Sequence, residues 1–121
     1  MNEALLYHLW KYRLFKSMPL TTIDGKTIEV IKPGELNPDS GPDFFNARLI
    51  IDGTEWAGNV EIDPTSADWY NHKHHINKDY SKLILHIVYE LNKPLDHGFP
   101  VLEFKNFIDE GAVRTFHHLQ E

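Results

Sequence analysis

Three carboxylates stand at the ends of the stretch Gly41 to Asp63, GPDFFNARLIIDGTEWAGNVEID: Asp43 near its start, Glu61 and Asp63 at its close. Two or three carboxylates converging on a hard cation such as Mg²⁺ or Mn²⁺ make a site for phosphodiester hydrolysis. The ion polarises a phosphoryl oxygen and lowers the pKa of an attacking water. Convergence follows if the Asp opens one strand, the Glu lies on its hairpin partner, and the third group sits two residues further on the same face. Asp52-Gly53 suits a two-residue turn between those strands. Counting outward from that turn along an unbroken ladder sets Asp43 opposite Ile62, with Glu61 facing away. The site therefore requires a longer loop or a one-residue bulge, the latter expected near Gly58. With a regular hairpin, Asp43 is a loop aspartate and Glu61 a solvent-facing strand residue.

A second cluster lies in DWYNHKHHINKDY, with His72, His74, His75 and Asp79, and His86 follows in LILHIVYE. An H-x-H pair holds a borderline cation when a strand presents both imidazoles. On a helix, His72 and His75 would instead share a face that Asp79 continues. One of these histidines, together with Lys73, could project over the acidic cluster as general acid or base. His86 reads as a neutral imidazole inside a sheet, hydrogen-bonded to a neighbour.

The elements that must position these groups can be read in order. Asn2 to Phe15 places Leu5, Leu6, Leu9, Trp10 and Leu14 at helical spacing, with Asn2 as N-cap and Glu3 in the first turn. Lys11, Arg13 and Lys16 read as a solvated helix end. LTTIDGKTIEVI and ARLIIDGTEWAGNVEI are two hairpins about Asp24-Gly25 and Asp52-Gly53, separated by a loop, KPGELNPDSGPD, with three prolines. A helix is expected from near Ser66. KLILHIVYEL is apolar throughout, as a strand buried on both faces is. VLEFK is a short strand, and NFIDEGAVRTFHHLQE a loop and short helix. The order α-β-β-β-β-α-β-β-α predicts an α/β (α+β) fold, a mixed central sheet with flanking helices. Trp10, Trp56 and Trp69 are expected in core or edge packing.

The chain has 121 residues with 41% hydrophobic composition, which suits a single domain over 1–121 with its own core, in a chain that could continue beyond it. It has no cysteine, so disulfides, thiolate metal sites and cysteine nucleophiles are excluded. There is no signal-peptide-like or membrane-length apolar run, and a cytoplasmic location is the expectation. The net charge of −6 counts against a plain nucleic-acid-binding module, although bound cations would cancel part of an acidic metal site. No phosphate-cradling glycine loop or G-x-S-x-G elbow occurs, so nucleotide oxidoreductases and serine hydrolases drop out.

Pro42-Asp43 followed by Glu61-Ile62-Asp63, set in helix, strand meander, helix, strand, resembles the PD-(D/E)XK, or restriction-endonuclease-like, superfamily. That resemblance implies a nuclease acting on DNA or RNA, with Asp43, Glu61 and Asp63 on Mg or Mn and Glu3 of the first helix as a further ligand. Asp63 stands where that superfamily has its Lys, and His72 and Lys73 are the nearest groups to take over. More narrowly, LLYHLWKYRLF, TIEVIKPGELNPDSGPDFFNA, GNVEID, DWYNHKHH and LILHIVYE resemble an uncharacterised bacterial family, a domain of unknown function. Two other readings stay open: an inert α/β module that binds a partner protein or the rest of a longer chain, and a His/Asp metal-binding domain.

Overall fold

The structure, a computed structural model, describes residues 1–16 and 19–120. Its first helix, α1 (Glu3–Lys11), starts where Asn2 Oδ1 accepts the Leu5 N–H at 2.8 Å. It buries Leu5, Leu6, Leu9 and Trp10 completely, and burial of side chains this size contributes roughly 1.5–3 kcal/mol each. The helix stops four residues short of the expected Phe15. Arg13 turns into the left-handed region (φ 54°), the Leu14 N–H returns to the Leu9 carbonyl, and Phe15 bridges to Ile108.

Seven strands form one mixed sheet: β1 (Leu20–Thr21), β2 (Thr27–Lys32), β3 (Glu35–Leu36), β4 (Phe44–Ile51), β5 (Thr54–Thr65), β6 (Leu83–Glu90) and β7 (Val101–Glu103). The order across it is β1-β2-β4-β5-β6-β7, with β3 also paired to β4. β3 lies inside the segment expected to be loop. It resumes pairing with β4 after Pro33-Gly34 interrupts β2, setting Glu35 and Leu36 against Phe45 and Phe44. The Ile23 N–H reaches the Val101 carbonyl at 2.8 Å, so the two ends of the sheet nearly close on each other.

Of the two expected tight hairpins, one is regular. Asp52 and Gly53 both take positive φ (51° and 84°), the two-residue turn that matches strand twist. At Asp24-Gly25 the loop is longer. Only Gly25 turns left-handed, and the Thr22 hydroxyl bonds the Asp24 carboxylate and accepts the Lys26 N–H, a side-chain cap that favours the wider turn.

β5 and β6 run parallel, joined through α2 (Ala67–Asn71) and two short 3₁₀ turns, His74–Ile76 and Lys78–Tyr80. β6 is buried from Leu83 to Val88, as its unbroken apolar run predicts. One sheet face packs on α1 through Phe44, Leu49, Val60, Ile62, Leu85 and Ile87. A smaller cluster of Trp69, Tyr80 and Leu83 lies under α2 and the 3₁₀ turns. α3 (Glu110–Leu119) closes the described chain, capped by Asp109. Trp10 and Trp69 are core residues, while Trp56 is half-exposed. Among the described residues no helix is long and apolar enough to cross a membrane.

Candidate metal centre

Near the β4–β5 turn the ladder is regular, from Ile51 opposite Thr54 to Ala47 opposite Gly58. It then shifts: Phe44 pairs with Val60, so β4 carries one residue more than β5 over that interval. The extra residue is accommodated at Asn46, whose φ of 58° is one that Asn tolerates better than most side chains. The expected bulge thus exists, but on β4 rather than at Gly58. Gly58 keeps the regular register and serves a different purpose. A Cβ there would lie 2.6 Å from Ile84 Cγ2 and 2.7 Å from the Lys82 carbonyl, so its missing side chain lets β6 approach. Beside the bulge Gly34 adopts φ +99°, and a Cβ on it would come within 2.8 Å of the Phe45 carbonyl.

One step past the Phe44–Val60 pair, the shift sets Asp43 across from Glu61. Asp43 Oδ2 accepts the Ile62 N–H at 2.8 Å and its Oδ1 accepts the Tyr7 hydroxyl at 2.5 Å. Tyr7 also reaches Glu3 Oε2 at 3.3 Å, one helical turn back along α1. Asp63, two residues beyond Glu61, shares its face of β5. Glu3, Asp43, Glu61, Asp63, His72, His74, Asn77 and Tyr80 line one cavity of about 420 Å³. A larger cavity of about 620 Å³, lined by Trp56, Gly58, Leu83, Ile84 and Phe99, has Lys82 as its sole charged residue and no carboxylate. The candidate ligand groups therefore lie in the smaller one.

Glu61 and Asp63 are only 3% and 1% exposed, which makes their charges costly. Glu61 Oε2 lies 3.1 Å from His74 Nε2, but Oε1 is buried with no hydrogen-bond partner among the described residues. Burial, then the charges of Asp63 and Asp43, push the Glu61 carboxyl up to about 12. Burial likewise raises Asp43, against the lowering effect of the Tyr7 hydroxyl. Glu3 is raised by burial and by Asp43. Burial lowers His74 and keeps it a neutral ligand or base.

Of the two histidine pairings the sequence leaves open, the helical one fails. α2 ends at Asn71, and Lys73 turns left-handed with φ 59°, so His72 and His75 do not share a helical face. The turn instead brings His72 and His74 together. With Asp63 they offer three ligand atoms all within 4.8 Å of one another. His74 stacks on Tyr80 at 4.3 Å between ring centroids, and His75 packs against Tyr70. Lys73 is exposed and does not line the cavity, so this geometry does not give it the role expected of a cationic helper. No Lys or Arg does so among the described residues.

Two participants, Tyr7 and His97, escaped the sequence reading, and a third, His86, entered it only as a sheet histidine bonded to a neighbour. Tyr7 looked like one more aromatic on an amphipathic helix. His86 was expected to bond a neighbour, and its Nε2 lies 2.8 Å from Asp63 Oδ2. His97, in the β6–β7 loop, carries no local signal at all, yet its Nε2 lies 3.0 Å from His86 Nδ1.

The donor set fits a divalent cation. Carboxylates crowded in low dielectric need a counter-charge, and Glu61 Oε1 lacks a donor. Oxygen and imidazole donors together suit Mn²⁺, Fe²⁺ or Zn²⁺ at least as well as Mg²⁺. Comparison with curated proteins and with solved structures finds no match to the chain. A family described as protein of unknown function (DUF2851) matches residues 3–121, nearly the full length, and the chain belongs to that family.

Proposed function

We propose that the domain is a metal-dependent phosphodiester hydrolase of nuclease type, with Asp43, Glu61 and Asp63 holding Mn²⁺ or Mg²⁺. The observation that carries this reading is the bulge at Asn46, which turns Asp43 toward Glu61 on the face shared with Asp63. The sequence of α1, β2, β4, β5, α2 and β6, with β6 parallel to β5, also supports a restriction-endonuclease-like core. Bound there, the cation would supply Lewis-acid polarisation of a phosphoryl oxygen and a nucleophilic water at neutral pH. The chain's own residues divide the remaining work. Tyr7 and the Ile62 N–H fix both oxygens of Asp43. His74, neutral and 3.1 Å from Glu61, is placed to accept a proton, and His72 takes the exposed side of the cavity in place of the missing Lys. DNA or RNA is the substrate class, and the cation offsets part of the −6 charge.

Isothermal titration with Mn²⁺ and Mg²⁺, followed by DNA and RNA cleavage assays on wild type, Asp43→Ala and Glu61→Ala, tests the reading. Cation binding and cleavage are both expected, and each alanine variant should lose them. A protein that binds no cation would leave an α+β module whose role is to bind another protein. A second reading follows from the Asp63, His72 and His74 group: a His/Asp site for a borderline cation with no hydrolytic role. Tight Zn²⁺ binding lost in His72→Ala and His74→Ala, without cleavage under any metal, would select it.

A further inference from the structure

The loop from Leu91 to Pro100 joins two parallel strands and is held down along its length. Ser66 Oγ accepts the Asn92 and Lys93 N–H groups at 3.0 and 2.8 Å, and the Tyr70 hydroxyl donates to Asp96 at 2.9 Å. The Leu91 N–H donates to Glu103 at 2.7 Å. This anchoring delivers His97 to His86, packed against the rings of Trp69 and Phe99. At its other nitrogen, His97 Nδ1 accepts the Phe99 backbone N–H at 3.0 Å.

That backbone N–H decides every proton behind it. A nitrogen that accepts a hydrogen bond carries no proton, so neutral His97 must hold its proton on Nε2. Among the described residues its ring partner at Nε2 is His86 Nδ1, 3.0 Å away, which must then be the acceptor. His86 consequently carries its proton on Nε2 and donates it to Asp63 Oδ2 at 2.8 Å. Burial, and then the neighbouring His86, hold His97 down to about 4, which agrees with a neutral ring at pH 7. Were His86 in the other tautomer, lone pairs would face each other at Asp63, and the contact that orients the carboxylate would be lost.

We propose that His97 is a positioning residue: through His86 it fixes the orientation of the Asp63 carboxylate, engaging Oδ2 in the relay and leaving Oδ1 for a cation in the cleft. This rests on the metal-site reading above, and it extends the site to a loop that neither lines the acidic cavity nor reaches Asp63 directly. Outer groups that orient a ligand in this way commonly change metal affinity 10- to 100-fold when removed.

Two-bond ¹H–¹⁵N NMR on the full chain reads the tautomer of each histidine directly. His86 is expected with its proton on Nε2 and a bare Nδ1, and His97 likewise. His97→Gln, which keeps a side-chain N–H for His86, should retain that His86 signature and bind Mn²⁺ close to wild type. His97→Leu, which keeps bulk without a donor, should lose the single tautomer and bind Mn²⁺ about 10-fold more weakly. A wild-type His86 protonated on Nδ1 overturns the proposal without any variant. So does a folded His97→Leu with an unchanged His86 spectrum and unchanged Mn²⁺ affinity. Failure of the wild type to bind Mn²⁺ would overturn the metal-site reading and the affinity half of this one, and the tautomers would still judge the relay separately.

Discussion

Glu61→Gln should stabilise the metal-free protein, increasingly so as pH rises. In the folded chain Glu61 keeps its proton to about 12, against an ordinary value of 4.5 when unfolded. Between those limits the native state binds one proton more than the unfolded state, so stability falls with pH by about 1.4 kcal/mol per unit. The sign is that of a raised carboxyl: its contribution is complete below 4.5 and is lost progressively above it. His74 and His97 act oppositely. Their lowered values make stability rise with pH, but only up to their unfolded value of 6.5. Tyr7 and Tyr80, both raised, add a downward slope only as the unfolded tyrosines ionise near 10.0. From pH 7 to pH 9 the histidines and tyrosines add little, so the slope reports the buried carboxyls, Glu61 foremost with Asp43 and Glu3 beside it, and the wild type should lose on the order of 3 kcal/mol across it. Urea denaturation at half-unit steps in the presence of a chelator gives this slope, and Glu61→Gln, isosteric with the protonated acid, should flatten it. Saturating Mn²⁺ should remove the wild-type loss and leave the Gln variant little changed, because a cation at 100 times its Kd adds about 2.7 kcal/mol. Parallel pH slopes for wild type and variant would refute the crowding argument.

Other outcomes follow from single contacts. Asn46→Val should cost about 1–2 kcal/mol by placing a β-branched residue at φ 58°, read by chemical denaturation, whereas Asn46→Gly should be tolerated. Deleting Asn46 removes the extra residue yet leaves Asp43 opposite Glu61, so Mn²⁺ binding by titration should survive; a folded deletion variant without binding would count against the register argument. Gly34→Ala combines a φ of +99° with a Cβ 2.8 Å from the Phe45 carbonyl and should cost about 1–3 kcal/mol, with a lowered Tm. Tyr7→Phe leaves Asp43 Oδ1 without its donor; Mn²⁺ affinity should fall several-fold while the aromatic packing on Phe44, 5.8 Å away, is kept.

The type of the long elements could be read from periodicity because each has one dominant pattern, Leu5 to Trp10 at helical spacing and Leu83 to Val88 without a polar break beyond His86, but the exact order could not, since five strands rather than four precede α2. The bulge could be argued as a requirement but not located. Ala47, Leu49 and Ile51 alternate inward, and the alternation must flip so that Phe44 is buried and Asp43 is not. The doublet Phe44-Phe45 hides that flip, since either ring could have been the inward one. β3 was invisible because two residues between prolines carry no period. Of the two histidine pairings left open, the structure forms the H-x-H pair of His72 and His74, because the helical one fails at Lys73, where the backbone reverses its hand. His97 could not be inferred: only the tertiary fold brings the β6–β7 loop beside His86.

The near-closure of the sheet limits how other chains can attach. The terminal strands β1 and β7 have two and three residues, and the Ile23–Val101 hydrogen bond ties one to the other. An extended peptide seeking to add itself beyond β1 or β7 would find terminal strands of only two and three residues to pair with.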